Sequence, residues 1–537
     1  MERSGRPKGE AEERSDDGRT EVRTTGSSVV RAEVSAGKVD AVVIGAGHNG
    51  LAAATLLGRE GQSVLVLERR DDVGGLCAGL PFHPGYRHTG IHHDTCVPKA
   101  IVDALRLMEH GLVTRPAPAV WCAAPGGGVL LEPGELLAAG CGPGWEQLQS
   151  FVEQVGPFLR RLASEPVPRL DAHAPAWPLL ERAVQLRRLG QANVLELLRL
   201  VGASADDWLT PLLPDPRVRA AVALPGLLYA FVGVRDPQSA ALVLRDLALA
   251  GTDEVVGGPA GLVSALLAAA RVHRVEVRTG AEVERLVVER GAVRGVFLRG
   301  GERIDAERVV SSADPRRTVL DLAPPLSVPA GIEDEFRRFR TRSVQAKLHL
   351  ALSAPPVLAG RTGPVERFRV VPSPEVLQDA FDAARLGRVP ATPALDVRVP
   401  SLADPSIAPA GHAVLSVQIY GAPPEPTEGW SRAVRKQLVE ATLSALAGVC
   451  PSIADTVVAS ELVVSAEIEA RYGVTGGHPM HGEIALDQLW AGRPGPSSSR
   501  DRSPIPGLFL ASSGTHPGGG ATAVPGVLAA RAVLGAS

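Results

Sequence analysis

The chain has 537 residues, 45% of them hydrophobic and 21% charged, with a formal net charge of −3. That length allows two or three domains with a sizeable core, and the composition is that of an ordinary globular enzyme. Near-neutral charge excludes an electrostatic case for nucleic acid or an anionic membrane as partner. Five cysteines, Cys77, Cys96, Cys122, Cys141 and Cys450, form no C-x-x-C pair. The odd count speaks against a disulfide framework and for a reducing, cytoplasmic setting.

Residues 1–38 are polar, carry both charge signs and lack an apolar core, so they are expected to be a disordered tail and not a signal peptide. Val39 to Ile44 is a β-branched run suited to a buried parallel strand. Gly45, Gly47 and Gly50 follow at the G-x-G-x-x-G spacing, together with Ala46, His48 and Asn49. A helix is predicted next, stopped at Gly61, then a strand from Ser63 to Leu67 that ends at Glu68. In this context the glycines have mechanical roles: a tight turn at Gly45, backbone approach to a diphosphate at Gly47, and close helix–sheet packing at Gly50. Helix-start N–H groups would face the diphosphate. Glu68 is placed to accept hydrogen bonds from a ribose diol, and its charge disfavours the 2′-phosphate of NADP. A dinucleotide site is therefore predicted here.

The stretch Ile101 to about Val256 reads as largely helical. Within it Ala220 to Val234 is the best apolar candidate for a membrane span, but it falls short of the roughly 20 residues a span needs. It is read as a core helix, with a wall of an apolar substrate pocket or a peripheral membrane contact as the alternatives. A turn entering a helix is predicted near Gly257, followed by paired strands over 275–298. Further strands are expected at Gln345–Leu352 and His412–Tyr420, and a strand, glycine-rich turn and helix close the chain. Strand–turn–helix units at both ends predict an α/β fold. Its Rossmann-like domain is discontinuous (39–100, 256–325 and 471–537), with a mixed-sheet and helical substrate domain (101–255 and 326–470) inserted.

"GAGHNGLAAA", "ERRDDVGG" and "GLFLASSGTHPGGG" together resemble the phytoene desaturase-like FAD-dependent oxidoreductases. The resemblance is clearest over residues 39–100, 255–320 and 470–537. It implies FAD as cofactor, with Arg69, Gly74 and Gly75 near it, Val283 meeting the adenine, and the turn holding Gly514, Thr515, His516, Gly519 and Gly520 beside the isoalloxazine. The turn has no cysteine, so the FAD is expected to be non-covalent. No redox C-x-x-C and no second glycine fingerprint are present, which favours oxygen or a quinone over NADP as electron acceptor. The implied chemistry is removal of two hydrogens from an apolar or amphipathic small molecule, as in a desaturase or dehydrogenase. Two alternatives stay open: a flavin amine oxidase, and a non-catalytic lipid- or prenyl-binding member of the fold.

The candidate catalytic residues are Lys347, His92 and His516. The resemblance to related amine oxidases, in which a lysine on a substrate-domain strand holds a water near the flavin, implies that role for Lys347. Alternation, however, places it with Gln345 and His349, as on an exposed polar face. His92 lies in "YRHTGIHHD", which the resemblance puts beside the flavin. The i, i+4 spacing of His88 and His92 would suit a metal only on a helix, and Thr89 and Gly90 argue against one there, so no metal is expected.

Overall fold

The computed structural model describes residues 39–168, 177–498 and 503–535. The expected tail before Val39 lies outside them.

The apolar runs AVVI (Ala41–Ile44) and VLVL (Val64–Leu67) have no face that tolerates water, and both strands are completely buried. They form the centre of a five-stranded parallel sheet. Its order is Leu508–Leu510, Arg308–Ser311, Ala41–Ile44, Val64–Leu67 and Glu276–Arg278. Parallel strands need both faces covered. On one face lie three helices, His48–Arg59, Gly258–Val272 and Val524–Leu534, whose alanine-rich sides pack on Val43 and Val66. The other face, with Val42, Ile44, Leu65 and Leu67, meets an antiparallel three-stranded sheet of Val283–Glu289, Ala292–Leu298 and Arg303–Asp305. The sheet therefore draws its strands from three distant stretches of sequence.

A second, seven-stranded sheet runs Val457–Val463, Gln345–Leu352, Ala413–Tyr420, Ala394–Arg398, Arg367–Val370, Trp121–Ala124 and Gly127–Leu130. It is antiparallel except where Arg367–Val370 pairs with Trp121–Ala124. The strands at 121–130 fall inside the stretch expected to be helical. They form a local hairpin whose first strand, Trp121–Ala124, is docked on the sheet by a partner about 240 residues downstream, a signal that no local window contains.

The apolar segment at 220–234 begins in a core helix, as expected. Its helix, Pro216–Leu227, is buried on nearly every side, with Ala220, Ala221, Leu224 and Leu227 fully enclosed against helical neighbours. Among the described residues no helix is long and apolar enough to cross a membrane.

A candidate flavin site

The turn between Ile44 and His48 has the geometry its glycines suggest. Gly45 has φ +90°, and a side chain on Gly50 would come within 2.0 Å of the Gly45 carbonyl oxygen, so the helix can pack only on a bare backbone. A Cβ on Gly47 would meet nothing within 4 Å: it would point into open space. The helix starts at His48 with no side-chain cap on its first N–H groups. Those orphan donors and the positive end of the helix face the same space.

That space is a cavity with an empty volume of about 890 Å³, part of it open to solvent. Gly45, Gly47, His48, Asn49, Glu68, Arg69, Gly75, Val283 and His92 line it, all of them singled out from sequence. Glu68 is buried, and each of its oxygens is oriented by a backbone N–H, Oε2 by Ala46 at 2.8 Å and Oε1 by Arg70 at 3.0 Å. Gly74 stands behind the lining, donating its N–H to the Ala46 carbonyl at 2.8 Å. Several buried polar atoms on the wall have no partner: His48 Nε2, Asn49 Oδ1 and both ring nitrogens of His92. Unpaired buried polar groups are costly, and a polar cofactor would satisfy them. The residues fit a dinucleotide.

The C-terminal turn approaches the cavity at one residue. Only Ser513, next to it, reaches the cavity lining, whereas Gly514, Thr515, His516, Gly519 and Gly520 do not. His516 Nε2 donates instead to the Glu165 carbonyl at 3.0 Å, at the end of the helix Gly142–Ser164, and burial holds its pKa down to about 4. Thr515 turns its hydroxyl back to the Ser512 carbonyl at 2.7 Å.

Lys347 is not on an exposed face. Its strand is the second in the seven-stranded sheet and is buried on both sides, and Lys347, like His349, has no accessible surface. Ala346, Leu348 and Leu350 enter an apolar core, while the opposite face is polar and enclosed. Lys347 Nζ lies 2.8 Å from His93 Nδ1, and burial lowers its pKa from 10.5 to about 7. Alternation placed the polar side chains on one face correctly; what it could not supply was that the loop around residues 76–93 covers that face.

The histidines of "YRHTGIHHD" separate. His88 stacks flat on His349 with ring centroids 4.3 Å apart. His92 enters the cofactor cavity edge-on to His48. His48, Cys77 and His92 each bring one ligand-type atom within 4.8 Å of the others, and His48 Nδ1 is 3.3 Å from Cys77 Sγ. Burial pushes the Cys77 thiol far above its usual range. It therefore stays a neutral thiol, bonded to His48 behind the cavity wall, beside His92, whose ring nitrogens have no partner.

Residues that sequence reading did not place also line the cavity, among them Ser312, Asp314 and Arg317, and so do Tyr472 and His481. Asp314 is fully engaged, accepting from the Thr475 N–H and hydroxyl and from the Arg317 N–H, each at 3.0 Å. His481 Nδ1 pairs with Ser512 Oγ at 2.9 Å.

Residues 43–97 match an NAD(P)-binding Rossmann-like domain, and residues 191–534, well over half the chain, match the flavin containing amine oxidoreductase family. The chain belongs to that family. This flavin oxidoreductase is 28% identical to pyridine nucleotide-disulfide oxidoreductase domain-containing protein 2 of Rattus norvegicus, over 92% of this chain and 93% of the relative. It is 26% identical to a neurosporene-forming phytoene desaturase of Cereibacter sphaeroides, over 53% of each. Its fold is shared with a putrescine oxidase bound to putrescine, with TM-score 0.58 at 15% identity over 93% of this chain and 98% of the other. An oxidoreductase from Methanosarcina mazei is also similar, with TM-score 0.56 at 18% identity over 92% and 100%. The cofactor of this flavin oxidoreductase is FAD. No cysteine lies on the cavity lining among the described residues.

Proposed function

We propose that this flavin oxidoreductase is a dehydrogenase of the desaturase type, removing two hydrogens from an uncharged apolar or amphipathic small molecule. One observation carries the reading: the cavity offers no free anion and little aromatic surface to a cationic amine. Its carboxylates are already committed, Glu68 to backbone N–H groups, Asp314 to Thr475 and Arg317, and Glu282 to Arg299 at 3.2 Å. Of Phe, Tyr and Trp, only Tyr472 lines it among the described residues, and Arg70 already stacks over that ring. Recognition of a cation leans on both features. The histidines that line it are neutral at pH 7. Burial holds His48 and His481 near 4 and His92 well below its usual value.

Bound FAD would supply the two-electron acceptor, taking hydride from the substrate. The chain's own residues bind and orient. The Gly45–Gly50 turn and the helix start hold the diphosphate, and Glu68 the ribose. We place Lys347 at the reacting end of the chamber, where its amine takes the hydrogen lost as a proton. Lys347 does not itself line the cavity, but its Nζ lies 2.8 Å from Nδ1 of His93, the residue next to the lining His92, which supports the placement. Oxygen or a quinone is the acceptor in this reading, and the absence of a second glycine fingerprint and of a C-x-x-C pair in the sequence supports it.

The test is anaerobic mixing of the purified holoenzyme with a panel of polyenes, long-chain alcohols and lipids, and of primary and secondary amines. Bleaching of the flavin by uncharged compounds is expected. Bleaching by amines alone, with ammonia or a shorter amine released in step, would overturn the reading in favour of an amine oxidase.

A further inference from the structure

Large apolar side chains that face water are scattered over this protein, except on two consecutive helices, Trp177–Arg188 and Gln191–Gly202, where they gather. The first of these helices has no buried residue, and the second buries only Leu200. Trp177, Leu180 and Val184 recur at i, i+3 and i+7, and Leu195, Leu198 and Val201 at steps of three. Each set therefore makes a stripe along one side of its helix. The six side chains leave between 41% and 70% of their surface to solvent. A surface helix ordinarily turns such a stripe toward the core. Here it is turned out.

Both helices are tied to one support, the long helix Gly142–Ser164 and the residue that ends it. Arg182 pairs with Glu165, Glu181 with Arg161 at 3.6 Å, and the Asn193 amide donates to Gln154 Oε1 at 2.8 Å. Leu200 fixes the second helix in the same apolar cluster as Leu148 and Val155 of the support. Only Leu189 and Gly190 separate the two helices, so the stripes follow one another as a ridge on the outer side of that support.

The free charges beside the ridge have one sign. Glu181 is held by Arg161, and Glu196 by Arg199 at 2.7 Å. Arg187 and Arg188, at the junction of the two helices, are exposed and have no acidic partner among the described residues. Apolar stripes with a tryptophan at one end and unpaired arginines beside them are what a helix lying in a lipid interface presents. The stripe enters the acyl boundary, the indole sits at headgroup level, and the guanidinium groups meet phosphates. A second copy of the chain fits less well. A two-fold contact centred on the ridge would set Arg187 and Arg188 against the same arginines of the other copy, with no acid to meet them.

We propose that this ridge docks the protein on a lipid surface, with both helices lying in the plane of the interface. The apolar stripes supply most of the affinity, and Arg187 and Arg188 add a preference for anionic headgroups. A net charge of −3 gives no long-range attraction, so the arginines act only within about a Debye length of the surface. The ridge lies on the membrane and does not span it: a 12-residue helix is about 18 Å long, against a hydrocarbon core of roughly 30 Å. The inference stands apart from the proposed substrate class.

The test sediments the FAD-loaded full chain with sucrose-filled vesicles of phosphatidylcholine alone, and of phosphatidylcholine mixed with phosphatidylglycerol. Binding to both is expected, tighter to the second, and added salt should remove the difference while leaving binding to phosphatidylcholine. Leu180→Glu combined with Leu198→Glu alters only exposed positions. FAD content and Tm should hold, and binding to both vesicles should fall at least tenfold. Arg187→Glu with Arg188→Glu should lose the preference for phosphatidylglycerol and little else. Failure of the unaltered protein to sediment with either vesicle would overturn the proposal, as would undiminished binding by the leucine variant. A dimer that binds no vesicle, and that the leucine variant splits into monomers by light scattering, would assign the ridge to a second copy instead. Should the leucine variant fail to fold, Trp177 decides, being the most exposed tryptophan among the described residues. Lipids brominated on their acyl chains should quench the unaltered protein more than Trp177→Phe, and equal quenching of the two overturns the docking.

Discussion

Replacing Lys347 with Met should stabilise the protein at neutral pH and destabilise it in alkali. Lys347 is fully buried, and burial drops its pKa from 10.5 to about 7. At about 1.36 kcal/mol per pH unit, that drop corresponds to a penalty of about 4–5 kcal/mol on the folded state. The sign follows from proton binding. Between pH 7 and 10.5 the unfolded lysine keeps its proton while the folded one releases it, so this group makes stability rise with pH. The penalty is complete below pH 7 and gone above 10.5. Met removes it at every pH but leaves His93 Nδ1 without its donor, at a cost of about 1–3 kcal/mol. Lys347→Met should therefore be more stable by about 2 kcal/mol at pH 6.5 and less stable by about 1–3 kcal/mol at pH 10.5, with the two curves crossing between. Urea unfolding with saturating FAD across that range, comparing midpoints at each pH, measures the difference directly. A gap that does not change with pH, or a variant already weaker at pH 6.5, would refute the argument.

Gly47→Val should fold, since its Cβ meets only open space, yet purify without yellow colour because the side chain occupies the diphosphate position. Gly50→Ala should instead cost at least about 3 kcal/mol by urea titration, because its Cβ would collide with the Gly45 carbonyl. Glu68→Ala should weaken FAD by about 1.5–3 kcal/mol, read as a rise in Kd by fluorescence titration; an unchanged Kd would remove Glu68 from the site. Labelling the native protein with a thiol reagent at pH 8 should modify Cys96 at most, since the other four cysteines are buried and burial raises the thiol pKa of Cys77 and Cys122. All five should react in denaturant, and fast native labelling of Cys77 would contradict its enclosure.

How much of this was legible in sequence depended on range. The dinucleotide turn is local: strand, glycines, helix and acid fall within about thirty residues, so the residues from Gly45 to Glu68 were placed before any fold was known. Val283 and Gly75 came from family resemblance, and both lie on the cavity. Lys347 was conspicuous for its scarcity, but its burial is decided by a loop some 260 residues earlier in the chain, and no window around Gln345–Leu352 contains that loop. Asp396 gave no signal at all, being one acid in the apolar strand ALDVR, and its partners His93, Arg367 and Arg369 all lie in other elements. The strand at 121–124 was hidden for the same reason as Lys347: the partner that docks its hairpin on the sheet lies far along the chain.

The parallel sheet that carries the flavin site is finished by the strand Leu508–Leu510, about 440 residues after Leu67. At roughly 5–20 residues per second of synthesis, between about 20 and 90 s pass on the ribosome before that strand emerges. Arg308–Ser311 is made about 200 residues before it, so for about the last 10–40 s its edge is unsatisfied, the kind of surface on which nascent chains aggregate. Ser513, which lies on the cavity wall, is made later still. Cofactor capture is thereby tied to chain completion: messages truncated before codon 508 should yield colourless, chaperone-bound products, and FAD supply should govern how much finished protein survives.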